Sequence, residues 1–264
     1  MKGNERALIS KDMNEITSSK RIIMPMTILP VILTVFLPLL ILAGAKFMER
    51  DPSIMERMEP LLTKLPSEYS EFTPPQLLIR VALDLMYPSF FLVIPIMCSG
   101  VIGASSFVGE KERKTLESLL YTPISMVQLL RAKILGIFVP TFIITLASFV
   151  VFCIIFNIGG LIYFGNFILP SLQWLIIIFW ITPAISLFSL TFTVMISARS
   201  KTFQEALQVS GLLVIPVMLV LVTQMIGVLL ISNSVMFIVG LVLYIISLIL
   251  INRIAAKFVP EKLI

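Results

Sequence analysis

The stretch ILGIFVPTFIITLASFVVFCIIFNIGGLIYFGNFILPSLQWLIIIFWITPAISLFSLTFTVMISA, residues 134–198, runs for 65 residues without an Asp, Glu, Lys or Arg. One helical crossing of a bilayer takes about 20 apolar residues, so this run is too long for a single span. Its interruptions fall at Asn157, Gly159, Gly160, Asn166 and Pro170, residue types that break regular structure. It therefore reads as two spans, 134–157 and 172–196. The same rule, applied outward, finds three more gaps between charges. Ile22–Ala45 and Leu85–Gly109 each accommodate one span, and Ala206–Asn252 folds back at Ser232-Asn233-Ser234 into two, 207–230 and 235–252. The expectation is an all-α integral membrane protein with six transmembrane helices, a single domain over 1–264.

Composition agrees. Hydrophobic residues make up 58% of the chain, charged residues 13%, and mean hydropathy is +1.04, whereas about a quarter of a soluble domain is charged. There is no histidine, which removes Ser-His-Asp triads, HExxH zinc sites and histidine general bases together. Cys98 and Cys153 lie inside apolar runs and read as small hydrophobes rather than a disulfide or metal pair. No metal site and no enzymatic activity are expected. The net charge of +5 points to membrane orientation rather than nucleic acid, because the basic residues flank the apolar runs.

Placing the N-terminus inside gives inner segments 1–21, 110–133, 199–205 and 253–264, with 15 of the 20 basic residues against 8 of the 15 acidic ones. Lys and Arg concentrate on the cytoplasmic side, so both termini are expected in the cytoplasm and the chain in the cytoplasmic (plasma) membrane. Ala43-Gly44-Ala45 resembles a cleavage site, but the apolar run before it is too long for a signal peptide and follows three acids. The segment 46–80, with acids, bases and prolines intermixed, reads as a solvated extracellular loop containing a short helix.

Two inner segments are amphipathic. In 109–125, Leu116, Leu119 and Leu120 form a narrow apolar stripe while Glu110, Lys111, Glu112, Arg113, Lys114 and Glu117 occupy the other faces. Pro123 ends that helix, and Ser125 caps the next, which passes Leu129, Leu130 and Lys133 into the third span. In 1–21, Leu8, Ile9, Met13 and Ile16 make one stripe, with Lys11, Asp12, Glu15, Lys20 and Arg21 elsewhere. This suits an interfacial helix on the lipid surface, either as an anchor or as a contact for a partner. A short charged helix between two spans has an equally plain reading as a structural connection.

The string Gly-Glu-Lys-Glu-Arg-Lys-Thr-Leu-Glu-Ser-Leu-Leu-Tyr-Thr-Pro-Ile-Ser, residues 109–125, followed by Leu-Leu-Arg-Ala-Lys at 129–133, resembles the signature of ABC-2 type transporter permeases between their second and third spans. Six spans, an amphipathic N-terminal helix and a modest loop after span one are similar to that family too. The diagnostic residues cover only 109–133, and Thr115 stands where the family often has glycine. The resemblance implies the membrane subunit of an ATP-binding cassette exporter, paired with a second permease copy or a homologous permease and with a separate ABC ATPase subunit that holds ATP and Mg. It implies that Glu110, Lys111, Glu112, Arg113, Lys114, Thr115, Glu117, Leu119, Leu120 and Pro123 belong to the segment that couples the ATPase to the spans.

No phosphate loop is present, because Gly109 before Lys114-Thr115 lacks the second glycine and is one residue short. Within the spans, Asp84 stands at an entrance and Gln224 is the main deep polar group, better suited to helix–helix hydrogen bonding than to a substrate. Ser99, Gly100, Gly103, Ala104 and Ser105 allow close packing of span two. Pro25, Pro30, Pro38, Pro88, Pro95, Pro140, Pro183 and Pro216 are expected to kink or break spans. A channel or secondary carrier working without an ATPase is the alternative function, disfavoured by the lack of ionisable groups inside the spans.

Overall fold

The computed structural model describes residues 18–50, 69, 71–109, 112, 126–225 and 232–257. Among these there is no strand, and six helices are long and apolar enough to cross a membrane. They are α1 (Ile22–Glu49), α2 (Pro74–Gly109), α3 (Lys133–Tyr163), α4 (Leu172–Ser197), α5 (Phe203–Gln224) and α6 (Asn233–Ile254). The chain is a multi-pass membrane protein. The interfacial helix over 1–17 and most of 109–125 and 46–80 lie outside the described residues. Lys20 and Arg21 sit beyond a break at Ser19, whose backbone is extended, and so fall in the first turn of the helix leading into α1.

α2 and α4 form the centre. Small residues let them approach closely: Gly103 has room for a Cβ only at 3.0 Å from Thr193 Cγ2, and the Ser189 hydroxyl donates to the Ile96 carbonyl at 3.2 Å. Without a hydrophobic driving force between helices in lipid, this contact and the interhelical hydrogen bond supply the association. On the other side of α2, Tyr87, Phe91, Phe149, Phe152, Phe156 and Trp174 join α2, α3 and α4 in one aromatic cluster, with Phe152 and Trp174 centroids 4.8 Å apart. α5 packs on α2 and α6 on α4, and both keep most of their apolar surface outward.

The prolines do less damage than their number suggests. Pro38, Pro88 and Pro183 each stand two residues after a π-helical turn, at Ile32–Phe36, Ala82–Met86 and Ile177–Ile181. A proline cannot donate to the carbonyl four residues back, and its ring crowds that carbonyl. The widened turn accommodates it, and the preceding residue reaches one carbonyl further: Leu37 N–H to Ile32, Tyr87 to Ala82, Thr182 to Ile177. Pro25, Pro30, Pro95 and Pro140 lie inside continuous α-helix. Among the described residues of the six helices, only α5 is interrupted. Its helix stops at Gly211, turns through Leu212 and Leu213, and resumes at Val214. Pro216 has no N–H for the Leu212 carbonyl, which accepts from Ile215 instead at 3.1 Å.

Several boundaries differ from the sequence reading: α1 runs on through Lys46 to Glu49, inside the expected 46–80 loop, and α5 begins at Phe203 rather than at 207. Helix α2 begins at Pro74, so residues 74–80 are helix rather than loop, started by a Thr73–Gln76 capping box. Gly159 and Gly160 do not break α3, which runs on to Tyr163. A Cβ on Gly159 would collide with Leu42, and one on Gly160 would come within 2.9 Å of the Asn166 carbonyl. These glycines serve close approach, and the real turn comes at 164–171, where Gly165 takes φ +71°. Asn157 lies in the helix and holds that turn. Its Oδ1 accepts from Ile168 N at 3.0 Å and Leu169 N at 2.9 Å, and its Nδ2 donates to the Leu169 carbonyl at 2.9 Å.

Candidate functional site

At the end of the bundle where α2 finishes and α5 starts, three chain segments meet. α2 closes in a fourth π-helical turn, Ser105–Gly109, with Val108 and Gly109 buried. Lys133, at the start of α3, is only 1% exposed. Its ammonium donates to the Ser106 carbonyl at 2.6 Å and to Ser106 Oγ at 3.1 Å, and lies 4.9 Å from the Phe107 ring centroid. A buried ammonium needs such partners, and a cation over a ring face adds attraction. The two ends of the 110–132 connection are thereby pinned together.

The second junction is longer in range. Helix α5 starts with Thr202 as its N-cap, the Thr202 hydroxyl accepting from Glu205 N at 3.2 Å while Glu205 Oε2 accepts from Lys201 N at 2.8 Å. The first helical N–H, that of Phe203, donates to Glu112 Oε1 at 2.8 Å. The first N–H groups of a helix have no partner within it, and the dipole favours an anion there. A carboxylate from the 109–125 segment fills that role, 91 residues away in sequence. Phe203 is 9% exposed and Ala206 is fully buried, so the first turn of α5 is anchored against α2 and α4.

Of the residues in the expected coupling segment, Glu112 is described and placed at this junction with an exposed side chain. Glu110, Lys111, Arg113, Lys114, Thr115, Glu117, Leu119, Leu120 and Pro123 lie outside the described residues, as do Leu8, Ile9, Lys11, Met13 and Ile16. Sequence reasoning did not single out Thr202, Phe203 or Glu205, although Thr-x-x-Glu before an apolar run is a legible capping signal. Nor did it anticipate that Lys133 is buried.

At the opposite end, Asp84 is held by Arg80 Nε at 2.9 Å and by the Tyr69 hydroxyl at 3.2 Å. Gln76 Nε2 donates to the Tyr163 carbonyl at 2.7 Å, fixing the start of α2 to the end of α3. Gln224, 3% exposed, accepts from Ser89 Oγ at 2.9 Å, the helix–helix bond expected of it. That pair borders a cavity of about 270 Å³ between α2, α4, α5 and α6.

No curated protein and no solved structure matches the chain. A family model described as ABC-2 family transporter protein matches residues 6–252, nearly the full length, including the 109–133 segment and all of the six helices but the last two residues of α6. The chain belongs to the ABC-2 transporter family, as a membrane subunit.

Proposed function

We propose that this chain is the permease of an ATP-binding cassette exporter, driven by ATP and Mg bound on a separate ATPase subunit and working as a pair of permeases. In this reading both termini and the 109–125 segment face the cytoplasm, and 51–68 faces outside. The carrying observation is the Glu112–Phe203 bond. It joins the signature segment to the first turn of a span, so a push received there is passed to α5 instead of being absorbed by a loose connection. The Lys133–Ser106 contact keeps the base of the same segment stiff. A charged segment tied to two spans is what a shape-changing partner needs to do mechanical work on them.

The test is copurification from the native host followed by reconstitution. Tagged protein is expected to bring down an ATP-binding subunit, and transport in proteoliposomes is expected to stop without ATP. Flux through this chain alone, driven by an ion gradient, would point to a carrier instead. Glu110→Lys is expected to weaken capture of the ATPase while the purified permease stays monodisperse.

A further inference from the structure

Among the described residues there are four π turns, and three of them are followed two residues later by a proline: Pro38, Pro88 and Pro183. A proline ring crowds the carbonyl four residues back, so in these three an ordinary α turn is blocked and the wide turn is built in by sequence. The fourth, Ser105–Gly109, has Lys111 at the matching position, and the next proline is Pro123. No proline enforces its width. Single π turns are rare and gather at functional sites, and this one directly precedes the signature segment.

What the fourth turn has instead is a partner from the far end of the 110–132 connection. The Lys133 ammonium donates to the Ser106 carbonyl and to Ser106 Oγ and stands over the Phe107 ring. All three of these contacts fall within the turn. In an α turn the Ser106 carbonyl is directed at the N–H of residue 110, whereas in the wide turn it tilts toward a side chain. The ammonium is buried and is held where its acceptors are. The width of this turn therefore depends on where Lys133 stands. The turn also touches the first part of α5 and the end of α4, and the same connection carries Glu112, bonded to Phe203 N.

We propose that the Ser105–Gly109 turn is a two-state switch, wide while Lys133 holds Ser106 and closed to a regular α turn when a load on the 110–132 connection draws Lys133 away. The proposal rests on the permease reading and says what a push on the signature segment does. A π turn holds one residue more than an α turn, so closing it rotates the chain beyond Gly109 by about 100° around the axis of α2 and advances it by about 1.5 Å. Glu112 is carried round with it and leaves Phe203, so the push reaches α5 as the withdrawal of an anion from its N-terminus. The body of α2 stays in place, because Gly103 and Thr193 pack it closely on α4. Each state has its own hydrogen bonds, which makes the turn bistable rather than merely loose. The three proline-backed turns lie in α1, in α4 and at the other end of α2, and are fixed.

The experiment measures distances between paired spin labels by electron–electron resonance in the purified full-length chain in nanodiscs, with Cys98→Ala and Cys153→Ala as background. One label sits in the signature segment at Ser118→Cys. The other sits at Lys20→Cys or at Arg253→Cys, both exposed positions, in separate preparations. Lys133→Met is expected to add a second, resolved maximum in at least one pair, displaced by up to about 8 Å, the chord of a 100° rotation at the outer radius of a helix. Lys111→Pro, added to Lys133→Met, supplies the proline of the other three turns and is expected to restore the first maximum alone. Simple local unfolding broadens the distribution and is not rescued by proline. One unshifted maximum in both pairs of Lys133→Met, broadening without a second maximum, or a second maximum that Lys111→Pro leaves in place overturns the proposal. In the complex with the ATPase, ATP is expected to populate the same second maximum and Lys111→Pro to suppress it. ATP that binds and leaves the first maximum untouched also overturns it. The measurements on the chain alone involve no ATPase, so the switch and the permease reading fail separately.

Discussion

The Lys133 ammonium stands 2.6 Å from the carbonyl oxygen of Ser106, in the π turn that ends α2. A π turn displaces carbonyls from the regular ladder, and here a buried lysine side chain meets one of them. Lys133→Met keeps the length and removes the donors. It is expected to cost about 1–3 kcal/mol, the penalty for leaving a buried acceptor unpaired, seen as a lower unfolding temperature in detergent. Lys133→Arg, which keeps the charge but is bulkier and forked, is expected to fall between the two.

Glu112 separates a capping role from a purely electrostatic one. Glu112→Gln keeps an acceptor for Phe203 N and is expected to retain most transport. Glu112→Lys places a cation at a helix N-terminus and is expected to abolish coupling while costing the fold only about 1 kcal/mol, the scale of a lost cap. The measurement is ATP-driven transport set against thermal stability of the same preparations. Equal transport by both variants would remove Glu112 from the coupling path.

Asn157 satisfies three backbone groups of the 164–171 turn. Asn157→Ala is expected to be among the most destabilising polar substitutions in the chain, at about 2–4 kcal/mol, since each orphaned group carries its own desolvation penalty. Asn157→Asp retains the acceptor for two N–H groups but sets a carboxylate oxygen against the Leu169 carbonyl. It is expected to be no better than alanine in melting assays.

The Ser89–Gln224 bond crosses from α2 to α5. Ser89→Ala and Gln224→Leu together are expected to cost less than the sum of the single changes. The coupling energy expected from a double-mutant cycle is about 0.6–1.7 kcal/mol, the range for polar pairs between membrane helices. Additive behaviour would mean that the carboxamide turns to another partner when Ser89 is lost.

Much of the bundle was legible because charge is so costly in hydrocarbon that its absence marks the spans, and all six were placed this way. The boundaries that differ share one cause: polar or flexible residues read as aqueous loop even where protein contacts satisfy them. Arg80 and Asp84 are helical and paired with each other. Gly159 and Gly160 pack against Leu42 and the 164–171 turn. The junction at Glu112 was legible by half. The signature marked the residue, but its hydrogen bond to Phe203 depends on how α2 and α5 are packed, which no local pattern encodes. Lys133 was hidden for the same reason, since its burial arises from the turn of α2 and not from its own neighbours in sequence.

The π turn at Ile32–Phe36 also sets the phase of α1. Ile22, Met26, Pro30, Thr34 and Pro38 are all buried at intervals of four. A period of four drifts about 40° per step around a straight α-helix of 3.6 residues per turn, so these five positions would wander around more than a third of the circumference. One widened turn, by holding an extra residue, takes up about 100° of that drift and draws them towards a single seam. Removing one residue from Ile32–Phe36 should therefore rotate half of α1 about 100° against the other, turning Ala45 and Met48 out of the protein while leaving the helix intact.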